Sequence, residues 1–147
     1  MTVVYIHGAS ATAESFNHIR EHIKLNDIAI EYDSNLPGYY LINNGNYSGG
    51  NIAVFRKNTD GSLTEVKQLM QHKGKGIHPR QESAHVHMVY FSPDKKYVLS
   101  TDLGTDSVDI YKYHPDAAND VLQWESSIPV QSGSGPRHLT FSKDGKK

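Results

Sequence analysis

The chain has 147 residues, no cysteine, and 15 basic against 16 acidic side chains. It therefore lacks disulfides, thiolate metal sites, a cysteine nucleophile, and the charge field that holds a nucleic-acid backbone or an anionic membrane surface. Its 37% hydrophobic content suffices for one modest core or a piece of a larger one, and its nine histidines leave room for chemistry near neutral pH beside ordinary surface placement.

Val3, Val4, Tyr5 and Ile6 predict a short buried strand, far too brief for a signal segment or a membrane span. With no cysteine to place it elsewhere, the expectation is a soluble cytoplasmic protein. His7 to Ser10 form a glycine-containing turn, Phe16, Ile19 and Ile23 recur at helical spacing, and Ile28 to Tyr32 reads as a second short strand. Residues 1–35 thus read as a β-α-β segment. From Pro37 the helical period disappears, and short alternating strands separated by Gly, Asn, Asp and Ser turns take over. A boundary near Asn35 to Gly38 divides the chain into residues 1–35 and 36–147.

The second part repeats itself. NYSGGNIAVF from Asn46 aligns with DLGTDSVDIY from Asp102 at an offset of 56, matching Ile52 and Val54 with Val108 and Ile110. FSPDKK from Phe91 recurs as FSKDGK from Phe141 at an offset of 50. A period of this size built from short strands signals propeller blades. One full repeat reads as four strands, Val86 to Phe91, Tyr97 to Thr101, Val108 to Tyr113, and Val121 to Ser127. The predicted fold class is mainly β: a partial β-propeller of about two four-stranded antiparallel meanders behind the β-α-β segment.

In an up-and-down meander, successive turns alternate between the two ends of the sheet. The second-to-third turns, Asn46 to Gly50 and Asp102 to Asp106, therefore share one end with the lead-ins to the blades. Those lead-ins carry Arg80, Gln81, Glu82, His85 and His87, then Gly135, Pro136, Arg137 and His138. The opposite end carries plain turns such as Ser92-Pro93-Asp94-Lys95. Side chains able to do chemistry crowd one rim, where the central channel of a propeller opens, and such a rim is concave.

RQESAHVH (80–87), DLGTD (102–106) and GSGPRH (133–138), with NYSGG (46–50) upstream, resemble the signature segments of the seven-bladed lactonase family. The resemblance covers about Leu36 to Lys147. It implies hydrolysis of a lactone beside an anionic group, as in the 6-phosphogluconolactonases of carbohydrate metabolism, with no cofactor and a small anionic sugar lactone as partner. Such a reaction needs an activated water, stabilisation of the oxyanion formed on the carbonyl, and a cationic clamp. His85 and His87, two apart at a strand start, face the same way, and either is a candidate general base that Glu82 would orient. Arg80 and Arg137 offer charged forks for phosphate or oxyanion, and by resemblance Arg137 and His138 share the rim with the histidine pair. Asp102 and Asp106 are candidate substrate contacts, although side chains flanking Gly104 ordinarily cap turn backbone or orient a histidine. His138 has the alternative use of a hydrogen bond across the blade lead-in, and Asn46 to Gly50 that of a tight hairpin. His85-x-His87 with Glu82 also has a spacing that suits zinc, but the resemblance implies no metal. His72, His78 and His114 have no partner readable from the sequence.

VVYIHGASATAESFNHIREHI (3–23) resembles the start of an α/β-hydrolase, where a strand ending in His-Gly leads into the oxyanion-hole loop. The Gly-x-Ser-x-Gly elbow of that family is absent, so a complete hydrolase is excluded and His7-Gly8 reads as a strand-to-helix turn. Seven blades of roughly 40 to 50 residues need roughly 300 residues or more, against about 110 in the repeating part. A fusion, a truncated product, a subunit completing its ring with others, and a non-catalytic binding module all remain open. The open sheet edges of such a piece predict self-association.

Overall fold

The structure, a computed structural model, describes residues 47–58 and 63–145 and the strand Tyr40–Ile42. The β-α-β reading of residues 1–35 lies outside the described residues. Among the described residues seven strands follow in chain order: β1 Tyr40–Ile42, β2 Asn51–Lys57, β3 Leu63–Gln71, β4 Val86–Phe91, β5 Tyr97–Asp102, β6 Ser107–Tyr113 and β7 Leu122–Pro129. They form two antiparallel meanders, one ordered β1-β2-β3 and one ordered β4-β5-β6-β7. Mainly-β architecture in propeller-type blades is the predicted class. The four strands expected over Val86 to Ser127 are all present, each within two residues of its expected ends.

The register carries the offset read from the repeat. β2 begins directly after the turn Tyr47–Gly50, and β6 begins directly after Asp106. Gly50 and Asp106 occupy matching positions with φ of 59° and 53°. Backbone bonds match too, since His72 N donates to Gly50 O at 2.9 Å and Val130 N donates to Asp106 O at 2.9 Å. The second repeat also holds in atomic detail. Ser92 Oγ donates to Asp94 at 2.7 Å in one turn, and Ser142 Oγ donates to Asp144 at 2.6 Å in the other. Residues 134–142 form no regular strand but run beside β4, with Leu139 N on Met88 Sδ at 3.3 Å and Phe141 stacked on Tyr90.

The core lies between the two meanders. Ile52 and Val54 on β2 are fully buried against Val86, Val89 and Phe91 of β4, Val98 of β5, Tyr111 and Tyr113 of β6, and Val121 and Leu122. Burying each such aliphatic side chain stabilises the fold by roughly 1.5–3 kcal/mol. Their repeat partners Val108 and Ile110 are only half-buried, because nothing among the described residues covers that face of β6 as the second meander covers β2. Gln68 adds a polar clasp between the meanders. Its amide donates to Leu122 O at 2.6 Å and accepts from Leu122 N at 2.7 Å.

A buried carboxylate ties the rim together. Asp102, at the end of β5, is wholly inaccessible to solvent. Its Oδ1 accepts from the backbone N–H of His85 at 2.7 Å, Gly104 at 2.8 Å and Thr105 at 3.2 Å. Its Oδ2 takes Nδ1 of His72, the residue after β3, at 2.9 Å. The other ring nitrogen of His72 meets the Tyr111 hydroxyl at 2.6 Å. Gly104 sits tightly in the same knot, since a Cβ there would overlap the Ser83 carbonyl oxygen. No helix among the described residues is long and apolar enough to cross a membrane.

Burial pushes the Asp102 carboxyl upward, but the bonds from His72, His85 N–H and Gly104 N–H outweigh it and hold the group below its usual 3.8. A depressed carboxyl stabilises the folded chain above the unfolded value of about 3.9, and that contribution is lost as pH falls through the lower folded value. Asp102→Ala is expected to cost roughly 3–5 kcal/mol in urea unfolding, since it strands three N–H groups and removes the nearer carboxylate from His72. Asp102→Asn should flatten the acid limb of the stability profile below pH about 4; an unchanged limb would assign acid sensitivity to other carboxylates.

Candidate functional site at the blade rim

The parity of the meander brings the turns and blade lead-ins to one end, as Leu103 N bonding His85 O at 3.0 Å and the close approach of Gly50 to Ala84 both require. On this rim Tyr47, His85, His87 and His138 form one aromatic cluster. Tyr47 lies flat on the His85 ring at a centroid distance of 4.3 Å and edge-on to His87 at 6.5 Å. His138 meets His87 edge-to-face at 4.9 Å.

The two histidines that the sequence treats alike have different surroundings. His85 is buried, its Nδ1 is 2.8 Å from the Tyr47 carbonyl oxygen, and its Nε2 is 3.4 Å from Glu82 Oε1 without a hydrogen bond. The exposed Glu82 carboxyl is held below 4.5 mainly by its own backbone N–H, with His85 and Arg80 adding to the effect. His87 is half-buried at a bulge, where Val86 pairs Asp102 and Met88 pairs Thr101. Its Nδ1 lies 3.1 Å from the Arg137 carbonyl oxygen. A carbonyl only accepts, so Nδ1 carries the proton and Nε2 is left with a free lone pair. Desolvation, then His138 and the Arg137 charge, lower the His87 pKa from 6.5 against the opposing pull of that carbonyl. His87 is therefore neutral at pH 7, with an accepting nitrogen on a partly open surface.

Arg80 and Arg137, both exposed, line one hollow of about 130 Å³ with His78, Gln81, Leu103 and the 133–135 loop. The same Arg137 whose carbonyl orients His87 thus also lines the hollow. His87 does not line it.

Asp102 and Asp106 do not present free carboxylates to this surface. Asp102 is spent as described above. Asp106 Oδ1 accepts from Gln81 Nε2 at 2.7 Å and Gly135 N at 2.8 Å, and Oδ2 accepts from Gly133 N at 2.6 Å. Both serve as braces, Asp102 for the His85 lead-in and Asp106 for the floor of the hollow, which is the turn-capping use the sequence also offers for side chains flanking Gly104. The histidine that Asp102 orients is His72, which the sequence left without a partner. Tyr47 and Gln81 were also missed as organisers, although each stands inside a segment carrying the resemblance. Among the described residues no group of three or more His, Cys, Asp or Glu side chains is arranged to hold a metal ion.

A family model described as a lactonase with a seven-bladed β-propeller matches residues 10–147. A 6-phosphogluconolactonase of Bacillus subtilis is 40% identical over 96 residues, which cover 65% of this chain and 26% of that protein. A 6-phosphogluconolactonase of Formosa agariphila is 33% identical over 103 residues, covering 69% of this chain and 29% of the relative. Among solved structures, a periplasmic gluconolactonase of Pseudomonas aeruginosa superposes with a TM-score of 0.66 at 42% identity, over 74% of this chain and 31% of its own. The chain spans between a quarter and a third of the length of these three proteins.

The surroundings of His87 have a measurable consequence. In an NMR titration its ring should protonate below 6.5, and His138→Gln should move that midpoint up towards 6.5 by removing a neighbouring charge. A His87 midpoint at or above 6.5 in the unsubstituted chain would remove it as a neutral base.

Proposed function

The chain belongs to the lactonase family of seven-bladed β-propellers, and from that premise we propose that this rim hydrolyses a sugar lactone. More narrowly, we read its reaction as conversion of 6-phosphogluconolactone to 6-phosphogluconate, a step of the pentose phosphate pathway in the cytoplasm. The observation that carries this reading is the double use of Arg137. Its carbonyl fixes the tautomer of His87, and the residue itself lines the adjoining hollow together with Arg80.

In this reading His87 Nε2 removes a proton from water as the oxygen attacks the lactone carbonyl. The guanidinium groups of Arg80 and Arg137 balance the phosphate and the oxyanion of the tetrahedral intermediate. As the ring carbon–oxygen bond breaks, the imidazolium returns its proton to the departing ring oxygen, so His87 ends neutral. His85 is set behind Tyr47 and acts by holding that ring, with Glu82 at its Nε2. His138 keeps the His87 ring oriented and lowers its proton affinity.

A second reading, capture of an anionic sugar without turnover, is favoured by one observation: His87 lies outside the hollow that the two arginines line. Hydrolysis of freshly made 6-phosphogluconolactone by the purified chain, followed against the spontaneous rate, separates the two. Under the hydrolase reading His87→Ala lowers turnover by roughly 10²–10⁴-fold, the usual worth of a positioned base. Arg137→Ala should lower kcat/KM for the phosphorylated lactone about 10- to 100-fold more than for unphosphorylated gluconolactone, as loss of a charge-assisted contact requires. Saturable binding of 6-phosphogluconate with a background rate would instead establish the capture reading. The solution mass of the same sample shows whether several copies build the ring.

A further inference from the structure

A second cleft lies between the end of β3 and the face of β6 and β7 that carries Asp109, Tyr111 and Trp124, with a volume of about 400 Å³. That volume falls within the range of small-molecule sites. It shares no lining residue with the hollow of Arg80 and Arg137. Its wall is Trp124, the single tryptophan of the chain, which stands 56% exposed across the β6–β7 ladder from Tyr111. An indole left this open in a concave polar setting offers a large flat apolar plate with a negative face.

The polar groups opposite that plate are already ordered by one another. Asp109 Oδ2 is 3.2 Å from His72 Nδ1 and 3.3 Å from Ser107 Oγ. Ser107 Oγ in turn meets Thr105 Oγ1 at 2.8 Å, and the Tyr111 hydroxyl is fixed on His72 Nε2 at 2.6 Å. The cleft therefore presents an aromatic plate, a carboxylate acceptor and a pair of hydroxyls that can donate or accept. A ring with C–H bonds on its face and hydroxyls around its edge matches that arrangement. Asp109 in the wall, with Asp102 behind His72, sets a negative field against phosphate and carboxylate, although Lys73 lies at the margin.

We propose that this cleft is a second carbohydrate site, which takes an uncharged hexose ring against Trp124 with its hydroxyls on Asp109, Ser107 and Thr105. The inference stands apart from the lactonase reading, since it uses none of the residues assigned to hydrolysis.

Because Trp124 is the sole tryptophan, the fluorescence of the intact chain reports this cleft directly. Titration with D-glucose should give a saturable change in the millimolar range, and glucose 6-phosphate a response at least about tenfold weaker. Asp109→Asn, which keeps the reporter, should weaken D-glucose binding about tenfold, as loss of a charge-assisted hydrogen bond requires. Arg137→Ala, in the other hollow, should leave the titration unchanged. Should Asp109→Asn fail to give native circular dichroism, Ser107→Ala serves in its place with the same expected direction. The proposal is overturned by a linear or absent response to D-glucose, by equal affinity for the two sugars, by indifference to both cleft substitutions, or by a change that follows protein concentration instead of sugar and so reports a second copy covering the indole.

Discussion

The rim depends on one buried charge. A carboxylate shut away from water costs several kcal/mol unless its lone pairs are filled and a countercharge or strong donor stands beside it. Asp102 meets that demand with three backbone N–H groups on one oxygen and an imidazole on the other. Those donors come from three places: the lead-in to β4, the turn after β5, and the end of β3 in the neighbouring meander. The group that must be satisfied therefore ties two blades and a turn into a single arrangement. Removing any donor leaves the charge short, so the segments are held jointly. His85, Tyr47 and His87 are positioned as a consequence, because the backbone that carries them is what the carboxylate grips.

The strands and the crowding of the rim were legible because they follow from local rules. Alternation, turn residues and a repeated spacing need only neighbours in sequence, and the parity of a meander is topological. The matched turns Ser92-Pro93-Asp94 and Ser142-Lys143-Asp144 show how far this goes, down to the same serine-to-aspartate bond. What stayed hidden depends on partners brought close only by blade packing. His72 lies 30 residues from Asp102 and 39 from Tyr111, and no local pattern marks that pairing. The nearest signal is Asp109-x-Tyr111 on one face of β6, a carboxylate and a phenol two apart where an outer strand passes. The difference between His85 and His87 was equally unreadable. Their spacing makes them equivalent, and Tyr47, from another meander, makes one a buried stacking partner and leaves the other half-open.

The paired turns show how one geometry yields two different surfaces. Gly50 and Asp106 hold the same left-handed backbone conformation and accept the same type of bond from the end of the outer strand. At Gly50 a Cβ would lie 2.6 Å from the Ala84 carbonyl oxygen, so the turn and the next lead-in meet backbone to backbone and only glycine fits. At Asp106 a side chain is present, in a conformation that is unfavourable for most residues but tolerated by aspartate. Its carboxylate reaches the N–H groups of Gly133 and Gly135 and the amide of Gln81. The first turn closes the gap by contact, and the second spans it with a side chain. Spanning holds the 133–135 loop away from the turn by the length of a carboxylate, and the hollow lined by Arg80 and Arg137 occupies the space that remains. A residue whose own oxygens are fully engaged thus sets the width of the opening without touching what enters it. A hollow is accordingly expected after the turn that carries aspartate and not after the turn that carries glycine.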